Sequence, residues 1–249
     1  MTVSNPVVLI TGAARRIGAT LARHMHQAGY RVIIHYQHSA SQASLLADEL
    51  NAQRPNSALT LSADLCDINQ VESLAERAST AFGQVDVLVN NASSFYPTPV
   101  GNITAQDWHL LVGSNVQGPL FLSQALLPSL RREGGSIINL IDMHIDRPLP
   151  KHSVYCLAKS ALASLTRSLA NELAPAVRVN GIAPGAILWP ERELDDAEKN
   201  ALLATVPLGK LGDPQAIAQA LDYLLKADYV TGQILYVDGG RSIMSNASA

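Results

Sequence analysis

Residues 7–18 read Val7-Val8-Leu9-Ile10-Thr11-Gly12-Ala13-Ala14-Arg15-Arg16-Ile17-Gly18. The apolar run ends at Thr11-Gly12, and beyond a short turn the apolar residues recur at helical spacing, at Ile17, Leu21 and Met25. The pattern predicts a strand, a tight turn and a helix whose first N–H groups face an anion, typically a nucleotide pyrophosphate. Arg16 occupies the place of the middle glycine in the generic dinucleotide fingerprint, so this stretch alone also fits a turn without a ligand.

The composition indicates a folded protein with a small-molecule ligand. The 249 residues are 47% hydrophobic and 16% charged, enough for a substantial core in one large domain or two small ones. A net charge of −3 and the lack of a long basic run remove the electrostatic basis for binding nucleic acid or an anionic membrane.

The cysteines and the N-terminus bear on the compartment. Cys66 and Cys156 have neither metal-ligand spacing nor a disulfide framework, so we interpret both as packing residues in a reducing compartment and predict no metal site. The first residues lack the charged and apolar regions of a signal peptide, and no apolar run reaches membrane-spanning length. We therefore expect a soluble, cytoplasmic protein.

Strand and helix patterns alternate along the rest of the chain. Strands are predicted at 31–35, 58–61, 85–89, 136–141, 177–183 and 234–237. Helices are predicted after a cap at Ser39 through Leu50, and at 68–82, 104–130, 154–173 and 214–225. Apolar strands separated by helices indicate a parallel sheet covered on both faces. With no linker, the sequence predicts a single-domain, Rossmann-type, doubly wound α/β fold over 1–249, with ligands bound at the carboxyl ends of the strands.

The segment after the second strand indicates which nicotinamide cofactor would bind. It reads Tyr36-Gln37-His38-Ser39, and no Asp or Glu occurs between Gly29 and Asp48. An NAD site normally places a carboxylate here on the ribose 2′-hydroxyl, and that carboxylate would repel the 2′-phosphate of NADP. Its absence favours NADPH, with Arg15 as the countercharge and Arg16 and His38 as further candidates. A solvated basic turn is the alternative for either arginine.

Two other strand ends carry polar residues with open roles. Asp64, followed by Leu65, fits either a contact to an adenine amino group or a cap on the next helix. Asn90-Asn91-Ala92 fits either the support of backbone groups beside a cofactor or an ordinary turn.

Tyr155 and Lys159 are candidates for acid–base chemistry. They stand at i and i+4 on one helix face, and Asp142 precedes them at the end of a strand. A nearby ammonium favours the phenolate and so makes a phenol a better acid, as proton donation alongside hydride transfer requires. The same pair is also common on surface helices.

Together these motifs resemble the short-chain dehydrogenase/reductase superfamily over essentially the whole chain. The resemblance is carried by Thr11-Gly12 to Gly18, Asp64-Leu65, Asn90-Asn91-Ala92, Asn115, Tyr155 to Lys159, Pro184-Gly185 and Val237-Asp238-Gly239-Gly240. It implies catalytic places for Asn115, Tyr155 and Lys159, with Lys159 also holding the nicotinamide ribose and Asn115 shaping a helix and a proton-relay water. The predicted cofactor site comprises Gly12, Arg15, Arg16, Ile17, Tyr36, Gln37, His38, Ser39, Asp64, Leu65, Asn91, Ala92, Tyr155, Lys159, Pro184 and Gly185.

Two departures from the superfamily pattern resemble its pteridine reductase branch. Arg16 replaces the middle glycine, Asp142 replaces the catalytic serine, and the stretch Asn90 to Pro99 also resembles that branch. This implies NADPH-dependent reduction of dihydropterins or oxidised pterins, with Tyr155, tuned by Lys159 and Asp142, protonating a ring nitrogen. Phe95 would stack on the flat pterin, or else lie in the core beneath its loop. The substrate-binding residues implied are Arg16, Ser93, Phe95, Asp142, Tyr155, Leu188 and Trp189.

The remaining expectations concern the substrate lid and the assembly. By resemblance, the segment 186–205 is a lid, in which Trp189 either covers the substrate or packs. The branch also implies a homotetramer, for which Leu120, Leu127, Leu162, Leu165 and Leu169 would supply an apolar stripe, and a C-terminal tail that brings Arg241 to a neighbouring active site. A general carbonyl or 3-oxoacyl reductase and a non-catalytic nucleotide-binding regulator are the alternatives.

Overall fold

The computed structural model describes residues 5–132, 134–190 and 192–244. A seven-stranded, wholly parallel sheet runs in the order β3-β2-β1-β4-β5-β6-β7. Its strands are β1 (Val7–Ile10), β2 (Arg31–Tyr36), β3 (Ala58–Ser62), β4 (Val87–Asn90), β5 (Ser136–Leu140), β6 (Arg178–Pro184) and β7 (Ile234–Val237). The helices are α1 (Arg16–Gln27), α2 (Ala40–Gln53), α3 (Ile68–Ala81), α4 (Ala105–Val112), α5 (Gly118–Leu130), α6 (Ser153–Leu173), α7 (Asp196–Leu203) and α8 (Pro214–Lys226).

The first strand shows why helices cover both faces of the sheet. All four residues of β1 are buried, and their side chains alternate between two hydrophobic cores. Val8 and Ile10 belong to one core, whereas Val7 and Leu9 belong to the other. Because a strand sends successive side chains to opposite faces, an apolar run of this kind is stable only between two layers of helices. The predicted doubly wound α/β fold is confirmed.

The strand order places a crevice at the carboxyl end of β1. The chain moves outward from β1 to β2 and β3, then returns to β4 on the other side of β1, so the connections diverge at this point. In the turn that follows β1, Gly12 has a φ of +61°. A Cβ on Gly18 would collide with the Gly12 carbonyl oxygen and lie 2.7 Å from Asn91 Nδ2, so only glycine lets α1 approach the turn this closely.

The helix predicted at 104–130 is interrupted by a π-helical segment, Gly113–Gln117, between α4 and α5. Asn115 lies within that segment, and its Nδ2 donates to the Leu111 and Ser94 carbonyl oxygens at 2.9 and 3.0 Å. The π-helical segment thus contains an asparagine whose amide bonds both to its own helix and to the loop after β4. Helical periodicity in the sequence does not reveal these bonds.

The sequence analysis assigned no helix to the segment after β6, and the structure contains α7 there. Asp195 caps this helix by accepting from the Glu198 backbone N–H at 2.7 Å, and the Glu198 side chain accepts from the Asp195 N–H in return. This capping box is visible in the sequence and could have identified the helix.

The apolar stripe proposed for subunit contacts is wrong at Leu162, which is 1% exposed. The other four leucines, Leu120, Leu127, Leu165 and Leu169, are half-buried, and the last three also pack against cores of the same chain. Trp108 on α4 and Leu157 on α6 are each 50% exposed.

In the described ranges, no helix combines the length and apolarity that crossing a membrane requires.

Candidate active site

Two adjoining cavities open at the carboxyl edge of the sheet. The cofactor-side cavity, of about 430 Å³, lies over the ends of β1, β2 and β3, and the substrate-side cavity, of about 330 Å³, lies over the ends of β5 and β6. Arg16, Ile17, Asn91 and Ser93 line both. The predicted crevice is therefore one continuous site in two parts.

The structure brings the predicted cofactor residues together. Tyr155, Lys159, Pro184 and Gly185 line the substrate-side cavity, where a nicotinamide and its ribose would lie. His35, Cys66 and Ser114 also line the cofactor-side cavity and were not predicted. The predicted residues in the cofactor-side cavity are Gly12, Arg15, Arg16, Ile17, Tyr36, Gln37, His38, Ser39, Asp64, Leu65, Asn91 and Ala92.

Asn91 ties the end of β4 to the turn after β1. Its Nδ2 donates to the carbonyl oxygens of Thr11 and Gly12 at 2.8 and 3.1 Å, and its backbone N–H donates to Thr11 Oγ1 at 2.9 Å. Ala92 N–H donates to the same hydroxyl. Of the two readings left open for this motif, the structure favours support of backbone groups in the turn.

Asp142, Tyr155 and Lys159 converge in the substrate-side cavity. The Tyr155 hydroxyl donates to Asp142 Oδ2 at 2.6 Å, and Asp142 Oδ1 accepts from the His144 N–H at 2.8 Å. Lys159 is buried, donates from Nζ to the Leu140 carbonyl oxygen at 2.8 Å, and lies 5.8 Å from the Tyr155 ring centroid. An acid, its carboxylate partner and an ammonium thus share one wall.

Asn115 lies behind this wall, fully buried. Ser93, which lines both cavities, donates from Oγ to Asn115 Oδ1 at 2.7 Å. Asn115 lines neither cavity, so it holds the loop after β4 through Ser93 and the Ser94 carbonyl oxygen.

The loop and lid residues differ in their placement. Phe95 lines the substrate-side cavity and is 55% exposed, so the interpretation of Phe95 as a core residue is wrong. Its ring stacks on His152 at 4.8 Å and meets Tyr155 edge-on at the same distance. Leu188 also lines that cavity. Trp189 lies outside the lining, and its carbonyl oxygen accepts from Arg16 Nη2 at 3.2 Å.

Comparison with known proteins identifies the family. Residues 12–242 match the family model described as enoyl-(acyl carrier protein) reductase. The chain is 36% identical to pteridine reductase 1 from Leishmania tarentolae, with 96% of each chain covered. It is 32% identical to a 3-oxoacyl-(acyl-carrier-protein) reductase from Staphylococcus aureus, with 93% of this chain and 96% of the relative covered. This chain belongs to the short-chain dehydrogenase/reductase family. It is thus an oxidoreductase of a family that uses nicotinamide cofactors.

In this short-chain dehydrogenase/reductase, the electrostatics of Tyr155 differ from the sequence-based expectation. Burial, and then the adjacent Asp142 carboxylate, raise the pKa of Tyr155 well above its usual value. Burial lowers the pKa of Lys159 to about 8, partly offset by Asp142. Desolvation and the carboxylate both disfavour the phenolate, which is opposite in direction to the acidification expected from Lys159.

The predicted helix-cap roles are also corrected. Asp67, not Asp64, caps α3, accepting from the Asn69 and Gln70 N–H groups at 2.9 and 3.4 Å. Asp64 accepts from the Cys66 N–H within its own turn and lines the cofactor-side cavity. Ser39 stands at the start of α2, but its side chain makes no capping hydrogen bond.

Arg241 lies at the site of its own chain. It lines the substrate-side cavity, and its backbone carbonyl oxygen accepts from Arg147 Nη1 at 2.8 Å. The chain turns back after β7 in a short 3₁₀ helix, Arg241–Ile243, and the expectation that Arg241 serves a neighbouring active site has no support from the comparisons. Residues 245–249 of the predicted tail lie outside the described residues.

His35 lies on β2 and lines the cofactor-side cavity, although it was not predicted as a site residue. Its Nδ1 accepts from the Gly12 N–H at 3.1 Å, so Nε2 carries the proton and donates to the Ala63 carbonyl oxygen at 3.1 Å. Burial lowers the pKa of His35 to about 4. The sequence feature that could have identified this role is a histidine within an otherwise apolar strand. Its neutral side chain accepts a hydrogen bond from the turn after β1.

We expect the neutrality of His35 to appear as a pH dependence of stability. The folded pKa of about 4 lies below the unfolded value near 6.5, so the unfolded chain takes up the proton first and stability falls as the pH falls between these values. His35→Asn keeps an acceptor for Gly12 and has no proton to gain. The free energy of unfolding of this variant should therefore fall by about 3 kcal/mol less between pH 7 and pH 4 than that of the wild type. Urea unfolding at the two pH values measures the difference.

The exposed His38 provides the matched control, since His38→Asn should retain the wild-type difference between the two pH values. An unchanged pH dependence in His35→Asn would contradict the assignment.

Proposed function

We propose that the chain is a cytoplasmic, NADPH-dependent pteridine reductase that reduces dihydropterins to tetrahydropterins. Oxidised pterin, dihydromonapterin and dihydrofolate are further candidate substrates. The observation that carries the proposal is the 2.6 Å hydrogen bond from the Tyr155 hydroxyl to Asp142 Oδ2. A carboxylate beside the acid disfavours the alkoxide that forms when a carbonyl is reduced, whereas it suits a ring nitrogen that gains a proton.

The cofactor-side cavity offers the polar groups that an NADPH molecule would require. The turn after β1 offers backbone N–H groups at the start of α1, and the close packing of Gly18 against that turn brings this helix end to the cavity. Arg15 and His38 line the end near β2, where a 2′-phosphate would lie, and Asp64 lines the adenine end. NADPH, when bound, supplies the hydride for the substrate ring.

The side chains of the substrate-side cavity would then bind the pterin and move one proton. Phe95 offers an aromatic surface for the flat ring, while Ser93 and Arg16 offer polar atoms to its edge. The raised pKa keeps Tyr155 protonated at neutral pH, so its hydroxyl can donate to the adjoining ring nitrogen. The Lys159 ammonium stabilises the phenolate that remains, and Asn115 holds Ser93 in place.

A 3-oxoacyl or general carbonyl reductase is the second candidate, supported by the similarity to the S. aureus enzyme. A screen of NADPH oxidation with dihydropterins, dihydrofolate and oxoacyl thioesters, run side by side, separates the two. Turnover of thioesters alone would overturn the pterin proposal. Turnover of none would favour a nucleotide-binding regulator.

The cofactor preference can be tested at Arg15. Because no carboxylate follows β2 to repel a 2′-phosphate, we expect kcat/KM with NADPH to exceed that with NADH strongly. Arg15→Ala should weaken NADPH by about 1.5–3 kcal/mol more than NADH, since only NADPH loses a charge-assisted hydrogen bond. Equal kcat/KM values for the two cofactors in the wild type would contradict the preference.

The proposed assembly is a homotetramer, and the proposed lid is the segment 186–205. If α4 and α6 meet a partner, the exposed Trp108 and Leu157 are the side chains available for the contact. The lid contributes Ala186, Ile187, Leu188, Pro190 and Leu202 to the substrate-side cavity.

A further inference from the structure

A third cavity, of about 410 Å³, adjoins the substrate-side cavity, and we call it the side cavity. Met143, His144 and Arg241 line both, so these three residues form the shared wall. Arg147 and Thr205 line the far part. The side cavity and the cofactor-side cavity have no lining residue in common. A ligand in the side cavity would therefore reach the substrate and not the pyrophosphate turn.

The charged side chains that line the side cavity are Arg147 and Arg241, and no carboxylate lines it among the described residues. The two arginines are neighbours, since Arg147 Nη1 donates to the Arg241 carbonyl oxygen at 2.8 Å. Burial lowers the pKa of Arg241, Arg147 acts in the same direction, and Asp142 and Asp238 act against it. An anion in this cavity would lie within reach of two neighbouring guanidinium groups.

The nearest acids are already engaged by other donors. Asp142 accepts from Tyr155 and from the His144 N–H. Asp238 accepts from the Gly240 N–H at 2.9 Å and the Ser242 N–H at 2.6 Å. In the part of the chain that the structure describes, no carboxylate oxygen lies within 4 Å of the half-buried Arg241 guanidinium.

We propose that the side cavity binds an anionic group, a phosphate ester or a carboxylate, on the side chain of the pterin substrate, with Arg241 and Arg147 as specificity-determining residues. The inference rests on the proposed function, because the pterin ring occupies the substrate-side cavity. The ring then lies against Asp142 and Tyr155, and its side chain passes the shared wall at Arg241 into the side cavity.

The experiment uses substrates that differ in one anionic group. Dihydroneopterin and its monophosphate form the main pair, and dihydrofolate provides the carboxylate source. We expect the wild-type KM for the monophosphate to be roughly 10-fold or more below that for dihydroneopterin, and Arg241→Gln to bring the ratio near one. Arg241→Lys, which keeps the charge without the planar fork, should give an intermediate ratio. A low KM for dihydrofolate as well would indicate that either anion is accepted.

A control and a binding measurement keep the two proposals separate. Arg131→Gln removes an exposed arginine at the end of α5, away from all three cavities, and should retain the wild-type ratio. Calorimetric Kd values for neopterin and its monophosphate give the ratio without turnover. Equal wild-type values for the pair would overturn the side-cavity proposal and leave the reductase proposal standing. If neither dihydropterin is reduced, the reductase proposal fails. The ratio of the Kd values for neopterin and its monophosphate then tests by itself whether the side cavity binds an anionic group.

Discussion

Tyr155→Phe is expected to lower the rate of hydride transfer by roughly 10²–10⁴-fold, the usual contribution of a general acid. Phenylalanine keeps the buried ring, including its edge contact with Phe95, and removes only the hydroxyl that donates to Asp142. Lys159 keeps its own bond to the Leu140 carbonyl oxygen, so the wall that would hold the nicotinamide ribose stays in place. NADPH affinity should therefore change little.

Single-turnover NADPH oxidation measures the chemical step, and fluorescence titration measures cofactor binding separately. Tyr229→Phe is the matched control, because Tyr229 is fully exposed and remote from the cavities. Near-wild-type hydride transfer in Tyr155→Phe would rule out Tyr155 as the acid.

The parts of the fold that the sequence predicts are those set by local patterns. The four residues of β1 alternate between two cores, and an apolar run of that length has no other stable place in an α/β protein. The turn after β1 and the residues following β2 then meet because parallel strands end at one edge, so the cofactor-side residues lie together as the motifs predict.

What the sequence does not reveal depends on distant contacts. Burial beneath other segments and the approach of Asp142 raise the pKa of Tyr155, and the spacing of Tyr155 and Lys159 reveals neither of these causes. The bond from the Gly12 N–H to His35 joins two strands, and the π-helical segment accompanies a bond from Asn115 to the loop after β4. The turn after β7 places Arg241 in the lining of the substrate-side cavity, and the periodicity of helices and strands does not predict this placement.

Asp142→Ser is expected to slow dihydropterin reduction by roughly 10–100-fold, the range for losing a hydrogen bond to a charged group. A serine hydroxyl can take over the N-cap bond from the His144 N–H, so the short 3₁₀ helix Met143–Ile145 should persist. It cannot at the same time replace the charged acceptor of the Tyr155 hydroxyl. NADPH affinity should be nearly unchanged, because Asp142 lines the substrate-side cavity only.

The pH profile of the same variant tests the electrostatic role of Asp142. Asp142 raises the pKa of both Tyr155 and Lys159, and the proposed step needs the protonated form of each, so removing the charge should move the alkaline limit of hydride transfer to lower pH. Asp142→Asn, which keeps the shape without the charge, should shift it in the same direction. Near-wild-type transfer and an unshifted limit in Asp142→Ser would remove the main mechanistic reason to prefer a pterin over a carbonyl substrate, since a neutral hydroxyl at this position would then serve as well as the carboxylate.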